Sequence, residues 1–415
     1  MTLDLRQYVR PGDLVVWGQA CAEPRMLTRL LVEQAPGIGP VRCFVGIPAD
    51  SSVQGELPPE LRVLSYCGTG TNAALHRAGR LEIHPVHYST LPSLLSVGAL
   101  RADVVLVQVS PPDADGDHCL GLADDYFSAA IDTAATVIAE INPHVPWTPG
   151  ARRLPADRIT ASVRSSEPIA EMTTPMFDAA TARVAANVAS IVENGATIQF
   201  GIGALPSAVL QALHGHRDLG IHSGIVNDAA MDLIEAGVAT GVRKTRDRGV
   251  AVGGLLGGSR RLFAYADRNP ALGLRPTSYT HSPEVLATSH RMTAINAAIE
   301  VDLTGQVNAE TIGPRYVGAV GGAVDFLRGA ARSEGGLPVI ALTSTARGRT
   351  RIVPRLNGPV STPRSEPVVV VTEHGIADLR GLALEERVDR LIAIADPAHR
   401  AELDRAADDA LTLAH

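Results

Sequence analysis

Short runs of almost uninterrupted apolar character, rich in Val, Leu and Ile, recur along the chain, each followed by a turn and then an Ala/Leu-rich stretch. Asp13–Trp17 (DLVVW), Val41–Val45 (VRCFV) and Asp103–Val109 (DVVLVQV) lack the polar alternation of half-exposed strands, as expected of strands covered on both faces. Between them, Pro24–Glu33, Ala73–Ala78 and Phe127–Ala139 read as helices. This alternation predicts an α/β domain with a parallel sheet. A second set begins with a helix over Thr174–Asn194, where Ala, Val and Ile recur at steps of three and four, followed by a strand at Thr197–Phe200. Further strands are expected at Val250–Gly254, Val339–Leu342 and Val368–Thr372. The Pro-, Arg- and Ser-rich stretch 142–167 has no long apolar period and reads as the join. The organisation expected is a domain at 1–165 and another at 166–415, and no short internal repeat points to a solenoid.

Composition narrows the classes. Hydrophobic residues make up 45% of the 415 and charged ones 20%, enough to bury more than one core. The 37 basic side chains are outnumbered by 44 acidic ones, so the basic footprint of a non-specific nucleic-acid binder is missing. There is no polybasic arm for a lipid surface, and Lys244 is the only lysine. Cys21, Cys43, Cys67 and Cys119 are dispersed without CxxC spacing and read as reduced core residues. The chain start shows no signal-peptide pattern, and the apolar runs fall short of the roughly 18 residues of a membrane span. A soluble cytoplasmic protein is expected.

Candidate chemistry lies in the Gly-rich turns. Gly201-Ile202-Gly203-Ala204-Leu205-Pro206 follows a predicted strand and opens a helix, where backbone N–H groups can meet a phosphate or an oxyanion. It lacks the third glycine of a dinucleotide fingerprint, and a tight turn without a ligand is an equal reading. Gly318, Gly321 and Gly322, in the stretch Val317–Ala323, allow close backbone approach to something flat or anionic, or form a structural turn. Ser110–Gly116 (SPPDADG) stops a strand at paired prolines; it reads as a loop shaping a cleft between domains, since Asp113 and Asp115 lack a third ligand for a cation. His84 and His87 are separated by a proline and lack a completing carboxylate, so no metal is expected. No GxSxG elbow is present. Glu373, His374 and Asp378 follow a buried strand, either as an acid/base cluster or as a satisfied structural network.

Taken in order, longer segments stop reading as independent: VSPPDADG with CLGLADDY (Val109–Tyr126), INPHVPWTPG, FGIGALPSAVL, INAAIEVDLTGQVNAETIG (Ile295–Gly313), VGGAVDFLRGA, TSTARGRTRIVP and TEHGIADLRG. Across nearly its whole length the sequence resembles the acetyl-CoA hydrolase/CoA-transferase family, near the 4-hydroxybutyrate and butyrate-type CoA-transferases. The resemblance implies two related α/β domains with mainly parallel sheets, an acyl-CoA substrate in the cleft between them, no metal, and a homodimer. It also implies covalent catalysis: a glutamate attacks the thioester, giving an acyl-glutamyl anhydride and then a glutamyl-CoA thioester that a second carboxylate takes over. On this resemblance Gly201–Pro206 is the CoA-contacting loop, and Gly321-Gly322 offers backbone N–H to the thioester oxygen. Arg347 falls where a basic residue can approach CoA.

The departure falls on the nucleophile. The family pattern Gly-Ile-His-Thr/Ser-Glu-Met is here Gly220-Ile221-His222-Ser223-Gly224-Ile225, so Gly224 stands in the place of the glutamate. Ala323 is a second departure, where a polar residue often follows the paired glycines. Three readings remain. The acyl group passes directly to a bound acceptor or to water, with Asp228, Glu373 and His374 as candidate bases. Alternatively, Asp228 or Glu373 is recruited as the nucleophile. In the third reading the protein only binds acyl-CoA.

Overall fold

The first sheet of the computed structural model, which describes residues 3–173, 175–407 and 411, has seven strands: β1 (Leu14–Trp17), β2 (Val41–Val45), β3 (Leu61–Ser65), β4 (Leu81–Ile83), β5 (Val104–Val109), β6 (Thr136–Ile141) and β7 (Ala161–Arg164). They run in the order β4-β3-β2-β1-β5-β6-β7, all parallel. The central β1 and β5 are buried at every position, which is why their apolar runs are unbroken. Parallel neighbours need a crossover, and helix α1 (Arg25–Ile38) supplies the one between β1 and β2.

The second sheet holds β8 (Thr197–Phe200), β9 (Gly220–Ile221), β10 (Met292–Ala297), β11 (Leu337–Ala341), β12 (Val369–Thr372) and β13 (Gly375–Asp378). Its order is β9-β8-β10-β11-β12-β13, parallel except for the β12–β13 hairpin. Helices α2 (Ala179–Ile191), α3 (Ala204–Ala212) and α6 (Ala323–Arg332) pack on this sheet, and the same part of the chain carries α4 (Asp228–Glu235), packed on α3, and α5 (Arg260–Ala266), packed on α4. Asp178 caps α2 by accepting from Thr181 N at 2.8 Å, so the helix starts later than its apolar period implies. Thr174, where that period begins, lies outside the described residues.

Two expectations are corrected. Phe127–Ala139 is not one helix: only Ala130–Thr133 is α-helical, and Thr136 begins β6. Six consecutive residues of β6 pair with β5, from Val104–Thr136 to Val109–Ile141, and this ladder overrides the helical propensity of the alanines. The stretch 142–167 is not merely a join, because β7 lies within it; as an edge strand half turned to solvent, it carries too little apolar signal to be read. The SPPDADG loop closes on itself, with Asp113 accepting from the amides of Asp115 and Asp117 (both 3.0 Å) and pairing with Arg153. All four cysteines are free and buried. Among the described residues no helix is long and apolar enough to cross a membrane.

The two sheets share one apolar core, in which Phe44 and Tyr126 are continuous with Ile198 and Val339. Polar stitches reinforce it. Gly68 N donates to Gly318 O (2.8 Å), Tyr88 N to Gly321 O (2.9 Å), and Ser89 donates through N and Oγ to Asp325 (3.0 and 2.7 Å). Gly318 is tightly enclosed: a Cβ there would overlap the Ala309 carbonyl oxygen far inside van der Waals contact, and that oxygen is a backbone atom that cannot readily yield. Gly318→Ala is therefore expected to destabilise the protein by about 1–3 kcal/mol through overpacking, read as a lower urea midpoint with an unchanged slope.

Candidate active site

One cavity, of about 270 Å³, collects residues that follow the carboxyl ends of strands from both sheets. Gln19 comes just after β1, Ile47 after β2, and Tyr66 and Cys67 after β3; opposite them are Phe200 and Gly201 at the end of β8, Gly224 beyond β9, and Asn296 and Ala297 at the end of β10. Carboxyl ends of parallel strands are where open α/β sheets take their ligands, since the loops there are free to vary. A wider groove of about 370 Å³, beside Pro143–Pro146 and Phe263, contains none of the Gly-rich turns.

The wall from the first sheet is a fixed polar array. Gln19 Nε2 donates to Tyr88 Oη (2.6 Å) and Asp125 Oδ2 (3.0 Å), while its Oε1 accepts from Tyr66 Oη (2.8 Å) and Ile47 N (3.0 Å). Four bonds leave the amide one orientation. Burial pushes the Asp125 carboxyl up to about 7, against the bonds it accepts from Phe127 N and Gln19. On the opposite wall Gln199 and Asn296 pair through reciprocal amide bonds of 3.3 and 3.1 Å.

Gly224 lies on the cavity surface, and its missing side chain has a specific neighbour. A Cβ built on Gly224 would lie 3.1 Å from His281 Cε1 and 3.2 Å from its Nε2, with Phe326 Cε2 at 3.9 Å. The same ring crowds Gly322, whose Cβ would meet His281 Cδ2 and Nε2 at 2.7 Å. His281 is buried between Tyr88 and Phe326, each ring centroid 4.6 Å from its own, and it lines the cavity. Burial, with His222 nearby, takes its pKa down to about 3, so the imidazole is neutral across the working range.

The other residues singled out in the sequence divide into two groups. Gly201, Ile202, Gly321 and Gly322 line the cavity, and Ala204 opens α3 with Gly203 as its N-cap at φ +117°. Gly321, at φ +57°, places its carbonyl on Tyr88 N; Gly322 is the N-cap of α6. Gly318 is a packing glycine outside the cavity lining. Asp228 is not at the cavity: both its oxygens accept from Ser259, through N (2.9 Å) and Oγ, anchoring the start of α5. Glu373 accepts from Ser344 N (2.7 Å) and Oγ (2.9 Å), while His374 turns toward Asp396 (3.7 Å). Neither lines the cavity, so the candidate bases are held elsewhere in the fold. Arg347 is exposed at the tip of the hairpin Thr345–Thr350, with φ +51°. Among the described residues no three His, Cys, Asp or Glu side chains gather as a metal site would require. His281 was missed by sequence reasoning because no motif surrounds it; Tyr279-Thr280-His281-Ser282-Pro283 reads as an ordinary turn between short helices.

Residues 3–163 match the acetyl-CoA hydrolase/transferase N-terminal domain, and residues 258–407 match the C-terminal domain of the same name. The chain is 39% identical over 342 residues to the 4-hydroxybutyrate coenzyme A transferase of Clostridium kluyveri, covering 81% of this chain and 80% of that protein. It is 26% identical over 370 residues to an acetyl-CoA hydrolase of Eremothecium gossypii, covering 76% of this chain and 68% of that one. The crystal structure of RipA from Yersinia pestis superposes with a TM-score of 0.92 at 33% identity, covering 98% of this chain and 95% of that chain.

Proposed function

Since the chain belongs to the acetyl-CoA hydrolase/transferase family, we propose that it cleaves an acyl-CoA thioester by passing the acyl group directly to water or to a small acceptor held in the cavity, without a glutamyl-CoA intermediate. The observation that carries this reading is Gly224: the cavity surface there has no side chain, and the ring of His281 stands 3.1 Å from where a Cβ would begin. A recruited carboxylate is disfavoured by the same geometry, because Asp228 and Glu373 are bonded away from the cavity.

In this reading CoA approaches along Gly201–Ala204, and the thioester end enters the cleft between the 1–165 and 166–415 portions. A cavity of about 270 Å³ suits the thioester and a small acyl group, not the nucleotide. The first amides of α6, at Gly322 and Ala323, have no acceptor within their helix and are placed to receive developing charge on the thioester oxygen. Backbone donors of this kind are worth about 3 kcal/mol each in a water-excluded site. Space for the attacking water is modest, about 30 Å³.

The test is to incubate the protein with acetyl-CoA or butyryl-CoA, follow thiol release with and without a carboxylate acceptor, and measure intact mass before and after borohydride. CoA release without any covalent mass increment is expected. A CoA or acyl adduct mapped to a carboxylate would overturn the proposal.

A further inference from the structure

His281 occupies the ground that a side chain at residue 224 would otherwise enter. Three features equip it for more than filling space. Its Nε2 edge points at both Gly224 and Gly322, the two backbone positions that flank the proposed thioester site. Its Nδ1 lies 2.9 Å from Thr280 Oγ1, which is itself 3.4 Å from the Pro276 carbonyl oxygen. With the single Thr280 proton on that carbonyl, Nδ1–H donates to Oγ1, and Nε2 keeps a free lone pair toward the cavity. Finally, Tyr88 and Phe326 clamp the ring on its two sides, so it is held in place before any substrate arrives.

We propose that His281 is the catalytic base of this site, activating the oxygen nucleophile that attacks the thioester beside Gly224. This rests on the direct-transfer reading above. Nε2 takes a proton from water as the water oxygen bonds to the thioester carbon. The C–S bond then breaks, its electron pair leaves with sulfur, and the imidazolium returns the proton to the thiolate. Water and thioester become free acid and thiol, with no other reactant consumed. The imidazole starts neutral because burial disfavours its cation. A tetrahedral oxyanion forming alongside offsets that penalty at the moment of proton transfer. Its titratable surroundings are His222, which shares Thr280 through its Nε2 (3.2 Å from the Thr280 carbonyl oxygen), the Tyr88 hydroxyl, and Asp125 behind Gln19.

His281→Asn removes Nε2 while keeping a polar atom within reach of Thr280, and His281→Ala opens a ring-sized space beside the cavity. With acetyl-CoA as probe, kcat of the Asn variant should fall by about 10²-fold or more, with KM and CoA affinity within about threefold. Added imidazole should restore part of the rate in the Ala variant, which a purely structural histidine would not allow. The wild-type profile of kcat/KM should show no acid limb near the ordinary histidine value of about 6.5, because the base stays neutral far below it. An Asn variant with kcat within about fivefold of wild type would overturn the base role while leaving direct transfer intact, and so would loss of activity without imidazole rescue. Absence of turnover in the wild type, or a carboxylate adduct there, would overturn both. An acyl group trapped on His281 itself would replace the base with a nucleophile and overturn the proposal.

Discussion

Gly224→Glu alone yields no glutamyl-CoA from acyl-CoA, whereas Gly224→Glu combined with His281→Asn does: this is the expected pair of results. In the single variant the new Cβ starts 3.1 Å from His281 Cε1, closer than an ordinary side-chain contact, and the rest of the glutamate must pass a ring held between Tyr88 and Phe326. The carboxylate is deflected from the thioester, and a displacement of about 1 Å costs roughly 10²-fold in rate. Shortening residue 281 to asparagine releases the ring volume and also suppresses the base-catalysed route, so exchange into a carboxylate acceptor then reports only on the introduced nucleophile. Burial raises the pKa of the carboxyl of Asp125, which lies behind the cavity wall at Gln19; burial of a carboxyl at residue 224 acts in the same direction, and exchange should therefore be slow and faster at higher pH. Intact mass, with borohydride sensitivity, is the measurement. An adduct in the single variant would show that His281 does not block the position; none in the double variant would show that the thioester is not held beside residue 224.

Gly203→Trp should abolish CoA binding, a loss of at least 100-fold from a micromolar starting affinity of about −8 kcal/mol. Gly203 is the N-cap of α3 at φ +117°, a conformation that side chains rarely adopt, and nothing lies within 4 Å of a Cβ built there. A side chain at this position therefore projects into open space at the helix start, where the first amides of α3 are exposed to an anion. Gly203→Ala is the control, since it carries the same backbone strain without the bulk. Titration calorimetry with CoA should find the Ala variant within about tenfold of wild type and the Trp variant without measurable heat, both with wild-type circular dichroism. Equal binding by all three proteins would remove this turn from the CoA site.

The strand ends that build the cavity were partly legible. β1, β2, β5 and β8 emerge at or within one residue of where they are predicted; β1 and β5, buried on both faces, leave a nearly continuous apolar signature, whereas Arg42 and Gln199 interrupt the runs of β2 and β8. The edge strand β7 left none, since half of it faces solvent. β6 was hidden for the opposite reason: its buried run follows alanines, and only pairing with β5 separates it from a helix. The Gly-rich turns at Gly201 and Gly321 were visible as interruptions in the apolar pattern, whereas whether a given glycine packs backbone or lines a cavity was not. Gly318 and Gly321 are three residues apart, and only the approach of Ala309 to one of them distinguishes their roles.

Periodicity and composition were enough for an α/β chain, and the order of the longer motifs carried the family resemblance and marked Gly224 as its departure, because these are properties of residues taken singly or in local runs. Which groups surround that gap is a matter of distance across the fold. Asp228, four residues along the chain, is turned outward to anchor α5, and Glu373 is tied to Ser344. His281, fifty-seven residues away in sequence, is brought against Gly224 because its ring is clamped between Tyr88, in the short helical turn that follows β4, and Phe326 from α6. Contacts of that separation leave no trace in local pattern: they exist only after two sheets have packed with their carboxyl ends on one cavity, and that packing puts a neutral imidazole against Gly224.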